Sequence, residues 1–154
     1  TVCLDTDETW MQKAHLFNYL GVGSVDGSAF METARSQVDS FGVERIEAEV
    51  TDVSETDAGF VAETAGNSYA GRYVVLATGA DRDVVDVGVT METSVKDAYA
   101  TGAMVRAEEW QAIIAAGDGA AAALNILSKE EGEHFHDFDV PADADAVFGA
   151  MGAE

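Results

Sequence analysis

The feature that most constrains the fold is the apolar stretch from Tyr73 to Gly79, which reads YVVLATG. Its β-branched valines and the glycine directly after it favour a strand over a piece of buried helix. The unbroken apolar run further predicts that this strand is covered on both faces. A glycine at the carboxyl end lets a ligand or another backbone approach closely, and open α/β sheets bind ligands at that edge. The simpler interpretation is a core strand followed by an ordinary turn.

A second strand-like stretch, Ala98 to Gly102, also ends in Thr-Gly and is followed by a long helical pattern. Seven positions on one face predict a helix over about 108–128, namely Trp110, Ile113, Ile114, Gly117, Ala121, Leu124 and Ser128. Gly117 and Gly119 each cost this helix roughly 1 kcal/mol relative to alanine. We therefore expect a neighbouring element or a ligand to approach closely at these glycines.

The first half of the chain predicts a strand at 1–5, a long loop over 6–27 and an amphipathic helix. Ser28 is the expected N-cap and Gly42 the expected stop. The predicted core face of this helix consists of Phe30, Ala34, Val38 and Phe41. Within the loop, His15 is typical of a structural histidine, and the aromatic residues are typical of surface anchors.

Alternating apolar and polar residues from Ile46 to Val53 predict a strand with one exposed face. Two more strands, at 60–64 and from Tyr69, follow after short turns rich in glycine and small polar residues. Together they predict a three-stranded β-meander whose second face meets water.

These segments, in this order, resemble the FAD-binding domain of thioredoxin reductase-like flavoproteins. The resemblance rests on Ala77-Thr78-Gly79, on Ala100-Thr101-Gly102-Ala103 and on Trp110-Gln111-Ala112. It covers residues 1–128 and implies an α/β, Rossmann-like fold with a parallel central sheet, a three-stranded β-meander and flanking helices. Residues 129–154 would then form an acidic C-terminal extension.

The resemblance also implies which residues meet FAD. Asp5 falls on the family's ribose-binding acid, and backbone near Val50 would receive the adenine. Asn18-Tyr19-Leu20-Gly21 matches a family stretch beside the flavin, with Leu20 in place of proline. The remaining implied contacts lie at the two strand ends and at the helix start: Ala77, Thr78, Gly79, Gly102, Gln111 and Ala112.

Several family features are missing from this sequence. It has no Gly-x-Gly-x-x-Gly turn, because Gly21 to Gly27 has the wrong spacing and no preceding strand. Ala103 stands where the family has a flavin-contacting aspartate. A short acidic linker from Ala80 to Thr93 replaces the family's NADPH domain. Either the chain is a fragment of a longer protein or the family's phosphate site has been lost.

The single cysteine, Cys3, leaves no Cys-x-x-Cys pair, so this chain alone cannot carry out disulfide reductase chemistry. The implied function is FAD-dependent electron or hydride transfer without its own NADPH domain. No catalytic acid or base stands out. The electron source would be a separate donor protein or NAD(P)H. The resemblance also implies a homodimer.

The chain carries 29 acidic and only 8 basic residues, for a formal charge of −21. A folded domain with an acidic shell is typical of salt-adapted proteins, and we expect a halophilic archaeon's cytoplasmic protein. This charge argues against nucleic acid and anionic membrane as partners. No apolar run reaches 18 residues, and no signal-peptide pattern opens the chain.

Two other functions stay open. One is a fold that has lost its flavin, in which case the chain would serve as a binding or assembly module. Alternatively, the stretch His134-Phe135-His136-Asp137-Phe138-Asp139 supplies ligand types that suit divalent metals, although its spacing matches no strong motif. We expect this acidic arm to cover a partner subunit with Phe135, Phe138 and Phe148, and expect no metal.

Overall fold

The computed structural model describes residues 1–79, 84–109 and 111–135. The chain opens with a β-α-β unit in which β1 (Val2–Asp5) pairs in parallel with β4 (Glu44–Glu47). The crossover contains helix α1 (Gly27–Ser40), and Gly42 follows it in the left-handed conformation, with φ of +73°. The predicted first strand, helix and glycine stop are therefore confirmed. Phe41, predicted on the core face of this helix, is instead its C-cap residue and is 84% exposed.

The segment 6–27 was predicted as a long loop, and this prediction is wrong. It contains a 3₁₀ turn (Trp10–Lys13) and a short antiparallel hairpin of β2 (His15–Leu16) and β3 (Val25–Asp26). The hairpin runs directly into α1, so the helix is capped at Asp26 and not at Ser28. Short strands of two residues leave no periodic signal in the sequence, which is why they were missed.

A glycine is required where the hairpin meets the 3₁₀ turn. A Cβ atom added to Gly27 would lie 1.7 Å from the carbonyl oxygen of Met11. The Gly27 N–H donates to the carbonyl of Ala14 at 2.9 Å, which ties the start of α1 to the turn. This close approach fixes how the hairpin enters the helix.

The β-meander is confirmed as an antiparallel sheet of β5 (Val50–Thr56), β6 (Gly59–Thr64) and β7 (Ser68–Gly71). However, the single strand predicted over 46–53 is two strands, since β4 pairs with β1 and β5 pairs with β6. The pairing of β4 with β1 ends after Glu47, where the Ala48 N–H donates to the Asp5 carbonyl. Every residue of β5 is exposed, so the predicted buried face is absent from this strand.

The two strand-like stretches that end in Thr-Gly form a parallel pair, β8 (Val74–Leu76) and β9 (Ala98–Ala100). All three residues of β9 are buried, but Val75 in β8 is 45% exposed. The prediction that β8 is covered on both faces is therefore wrong. Within the described residues β9 is the only strand paired with β8, and the parallel strands form two pairs in place of one continuous sheet.

Two helices complete the described chain, the short α2 (Ala103–Arg106) and the long α3 (Ala112–Glu131). The core centres on Tyr99, Met91 and Ala122. The predicted face of α3 is wrong in part, because Ile113 and Leu124 are exposed while Asp118 and Ala122 are the buried residues. Ala121 of the predicted face does pack against the core, but polar side chains share the inward face with the apolar ones, so apolar spacing defined that face only in part.

The glycines of α3 also differ from expectation. A Cβ atom at Gly117 or Gly119 would have no neighbour within 4 Å in the part of the chain that the structure describes, so no described element approaches closely there. Helix α3 continues past residue 128, and Glu130 accepts hydrogen bonds from Arg72 and from the Tyr73 hydroxyl, the latter at 2.7 Å. The division between a domain at 1–128 and an extension at 129–154 stays a prediction.

The predicted fold class is confirmed: the chain is α/β, with parallel strand pairs, a three-stranded antiparallel sheet and flanking helices. Across the described residues, no helix combines the length and the apolar composition needed to cross a membrane.

Candidate functional site

The candidate site is built around the carboxyl ends of β8 and β9. The Thr101 N–H donates to the Leu76 carbonyl at 2.9 Å, which extends the parallel pairing beyond the strands. Ala77 and Thr78 therefore leave β8 beside Thr101 and Gly102, and the Thr78 hydroxyl lies 3.8 Å from the sulfur of Met104. The sequence predicted this adjacency of the two Thr-Gly ends.

Both strand-end glycines have backbone conformations that other residues rarely adopt. Gly79 has φ of +88° and Gly102 has φ of +72° with ψ of −145°. A Cβ atom at Gly79 would have no neighbour within 4 Å among the described residues, so none of them blocks this strand end. The backbone at Gly79 is therefore accessible to a ligand.

Two residues predicted to lie beside the flavin are in direct contact. The side-chain amide of Asn18 donates to the Gln111 side-chain oxygen at 3.0 Å, although 93 residues separate them in sequence. Gln111 is the N-cap of α3, whose first residue is Ala112. The Gln111 side chain makes no capping hydrogen bond, and the first N–H groups of an α-helix have no partner within the helix itself.

The predicted ribose acid has partners within the chain. Asp5 accepts hydrogen bonds from Arg35 at 3.0 Å and from the Asp7 N–H at 3.0 Å. Its carbonyl accepts from Ala48, which places Val50 two residues from this strand end. The Asp5 side chain is still 34% exposed, so part of the carboxylate faces solvent.

The predicted residues thus form three groups. One is the strand ends, with Ala77, Thr78, Gly79 and Gly102. The second is the Asn18–Gln111 contact with Ala112, and the third is Asp5 with Val50. No hydrogen bond between described residues joins Asp5 or Val50 to the other two groups.

Sequence reasoning missed Asp118, a buried carboxylate in the second turn of α3 that is only 3% exposed. It forms an ion pair with Arg106 and accepts a hydrogen bond from the Gly102 N–H at 3.2 Å. Hydrogen bonding from Arg106 lowers the pKa of Asp118 and keeps it ionised. The signal was present in the sequence, because Asp118 interrupts an otherwise uncharged helical stretch.

Asp118 brings a carboxylate close to the position where the family has its aspartate and this chain has Ala103. Its oxygens are used by Gly102 and Arg106, however. Asp118 therefore holds the strand-end loop against α3 through Gly102. It also holds α2, because Arg106 is the last residue of that helix.

The available groups fit part of an FAD molecule. The exposed amides of Asn18 and Gln111, the start of α3 and the backbone at Gly79 are each of a kind that suits a polar, planar ligand. The fit at Asp5 is weaker, because a ribose hydroxyl would share the carboxylate with Arg35.

Among the residues that the structure describes, no group of three or more His, Cys, Asp and Glu side chains could hold a metal ion. His134 and Phe135 belong to the described residues. His136, Asp137, Phe138, Asp139 and Phe148 lie outside them, so the proposed metal cluster and the proposed arm cannot be placed. Trp110, part of the family triplet, also lies outside the described residues.

Comparison with known proteins supports the fold. No protein-family model matches this sequence, and no curated protein is similar to it. The structure is similar to a thioredoxin reductase from Gloeobacter violaceus, with a TM-score of 0.82 and 17% identity over 89% of this chain and 90% of that chain. It is also similar to a ferredoxin-flavin thioredoxin reductase from Clostridium acetobutylicum, with a TM-score of 0.75 and 14% identity over 86% and 90% of the two chains. At these identities the likeness establishes a thioredoxin reductase-like fold and nothing about activity.

Proposed function

We propose that this chain is a thioredoxin reductase-like flavoprotein domain that binds FAD for electron or hydride transfer. The single observation that carries the proposal is the contact between Asn18 and Gln111. The sequence resemblance assigns both residues to the flavin, and the structure has their side chains in contact. The similarity in fold to a ferredoxin-flavin thioredoxin reductase supports the same cofactor class.

In this proposal, residues at different positions bind different parts of FAD. Asn18, Gln111 and Ala112 would orient the ring, and the backbone at Thr78, Gly79 and Gly102 would line the path leading from it. Asp5 and Val50 would receive the ribose and the adenine. When bound, the flavin itself supplies the redox chemistry. The positive end of the α3 dipole would stabilise negative charge on the ring.

The electron partners belong to the proposal as well. With no Cys-x-x-Cys pair in the sequence, electrons would pass to and from outside molecules, either a separate donor protein or NAD(P)H. The name of the Clostridium protein pairs ferredoxin with flavin, which favours a protein donor. We further propose a cytoplasmic homodimer that binds neither nucleic acid nor membranes.

A second candidate is a flavin-free binding or assembly module. It is favoured by the pairing of Asp5 with Arg35 and by Ala103 at the family's aspartate position. Both features remove polar groups that FAD would otherwise use.

An FAD titration followed by flavin fluorescence, in molar salt, separates the two candidates. We expect saturable binding that Asn18→Ala and Gln111→Ala each weaken about fivefold, because a hydrogen bond contributes about 1 kcal/mol. Asn67→Ala removes an exposed amide from the turn between β6 and β7 and should leave binding unchanged. A chain that is folded by circular dichroism but binds no FAD would support the flavin-free module.

A further inference from the structure

The hairpin of β2 and β3 holds a serine, a histidine and an aspartate in one hydrogen-bonded chain. The Ser24 hydroxyl oxygen lies 2.7 Å from Nε2 of His15, and Oδ1 of Asp26 lies 2.7 Å from Nδ1 of the same ring. Both distances fall in the range that joins a nucleophile to its base and a base to the group that orients it. Arrangements of this kind recur on unrelated folds and are recognised by geometry.

The chemistry of the three groups fixes the direction of the hydrogen bond to Asp26, and that of the bond to Ser24 whenever the His15 ring is neutral. An ionised carboxylate can only accept, so Nδ1 of His15 carries the hydrogen that faces Asp26. In the neutral ring Nε2 then has a free lone pair, and the Ser24 hydroxyl donates to it. The serine proton therefore already points at its base.

The fold holds these side chains in position. His15 and Asp26 are directly opposite each other in the antiparallel ladder, and Ser24 comes immediately before β3. Next to the His15–Asp26 pair, the Gly27 N–H donates a hydrogen bond to the Ala14 carbonyl and extends the pairing of the hairpin by one residue on each side. Asp26 is the N-cap residue of α1, yet its side chain makes no capping bond. Its carboxylate contacts His15, in place of the usual role of an N-cap aspartate.

We propose that Ser24, His15 and Asp26 form a second active site, a nucleophilic serine that hydrolyses carboxylic esters. This activity is independent of FAD. The net charge of −21 repels anions, so the substrates would be uncharged or cationic esters. Phe17 and Leu20, which are 76% and 87% exposed on the connection between β2 and β3, offer apolar surface to the acyl or alcohol group.

The reaction proceeds in two balanced halves. The Ser24 oxygen bonds to the ester carbonyl carbon while its proton moves to Nε2 of His15. Cleavage of the bond to the alcohol oxygen then releases the alcohol, which takes that proton and leaves an acyl-serine. Water attacks the acyl carbon and gives its proton to Nε2, and this proton returns to Ser24 as the acid departs. Asp26 holds the ring orientation and stabilises the imidazolium.

The test uses two readouts on the full chain in molar salt. One is p-nitrophenyl acetate hydrolysis, and the other is covalent labelling by a fluorophosphonate, located by peptide mass spectrometry. We expect one label per chain, on Ser24. Ser24→Ala should abolish labelling and lower the hydrolysis rate roughly 100-fold, the lower end of general-base effects because the site is exposed. His15→Ala should act alike, and Asp26→Asn should retain an intermediate rate.

The matched control is Ser54→Ala, which removes an exposed hydroxyl from β5 and should change neither readout. Labelling spread over several serines, or none at all, would overturn the proposal and leave the three side chains as a clasp for the hairpin. Hydrolysis that survives in Ser24→Ala but disappears in His15→Ala would also overturn it, since His15 would then be the nucleophile. Mapping the label in the unchanged chain needs no variant, so a variant that fails to fold leaves the test valid.

Discussion

The Asn18 amide and the Gln111 side-chain oxygen meet at 3.0 Å and join the hairpin connection to the N-terminus of α3. The contact connects two segments that are 93 residues apart, and both segments were assigned to the flavin by resemblance. The contact supports the proposal that the two segments meet the same ligand.

This contact should be measurable as a coupling between the two residues. Asn18→Ala and Gln111→Ala should each lower the free energy of unfolding by about 0.5–1 kcal/mol, as expected for an exposed hydrogen bond. The double variant should lose little more than either single one, because both remove the same bond. Denaturant unfolding in molar salt provides the values. Fully additive losses would show that the two amides do not interact in solution.

Two glycine substitutions should have opposite effects. Gly27→Ala places a Cβ 1.7 Å from the Met11 carbonyl, so the 3₁₀ turn and the hairpin must shift. We expect a loss of at least 2 kcal/mol in the free energy of unfolding, despite the better helix propensity of alanine. Gly119→Ala is the matched control, since its Cβ meets nothing within 4 Å, and it should gain about 1 kcal/mol. A stable Gly27→Ala chain would contradict the observed packing of the turn on α1.

Asp118→Asn tests the buried ion pair behind the strand ends. The amide keeps an acceptor for the Gly102 N–H but leaves Arg106 without its counter-charge. Fully buried pairs lose about 3–5 kcal/mol when one partner is removed, and we expect about 2 kcal/mol here because Arg106 is 37% exposed. Thermal unfolding measures the loss. The exposed Asp52→Asn should change stability by less than about 0.5 kcal/mol.

The same pair should make stability depend on pH. Hydrogen bonding from Arg106 depresses the pKa of Asp118 in the folded chain, so the unfolded chain binds this proton more readily. The stabilisation is therefore complete above the unfolded value of about 3.9 and is lost as the pH falls through the lower folded value. In an acid titration of unfolding, Asp118→Asn should lose less stability below about pH 4 than the parent chain. Identical acid profiles would contradict the assigned ion pair.

The inward face of α3 shows where sequence reasoning stopped working. The family resemblance assigned Gln111 to the start of this helix. Apolar spacing predicted the helix over about 108–128, and the structure has it at Ala112–Glu131. Apolar spacing defined the inward face only in part, because Asp118, Asn125 and Lys129 lie inward with partners of their own. Such partners come from distant segments, and hydrophobic periodicity carries no information about them.

Sequence reasoning also missed the shortest elements. Strands of two residues leave no alternation to detect, and the contact between His15 and Asp26 follows only from the hairpin register. By contrast, the β-meander and the β8–β9 pair carry enough apolar residues to be predicted.

Lys129 provides a further test, because it fixes the end of α3 to the core. It donates to Glu92 at 2.5 Å and to Asp97 at 2.8 Å, and it lies over the ring of the fully buried Tyr99. Lys129→Ala should lower the free energy of unfolding by about 2 kcal/mol, since it removes the cation that Glu92 and Asp97 share and leaves Asp97 with only the longer pair to Lys96, at 3.8 Å. Lys96→Ala, at an 86% exposed side chain, should cost less than about 0.5 kcal/mol. Equal effects of the two changes would place residue 129 outside the cooperatively folded unit.

The most direct test of the central claim is the visible absorption spectrum of the chain in molar salt, after excess FAD is added and then removed by desalting. We predict that oxidised-flavin bands remain with the protein, and that Asn18→Ala and Gln111→Ala retain less of them than Asn67→Ala. A folded chain that is colourless after desalting would contradict the proposal that the strand ends, Asn18 and Gln111 form a flavin site.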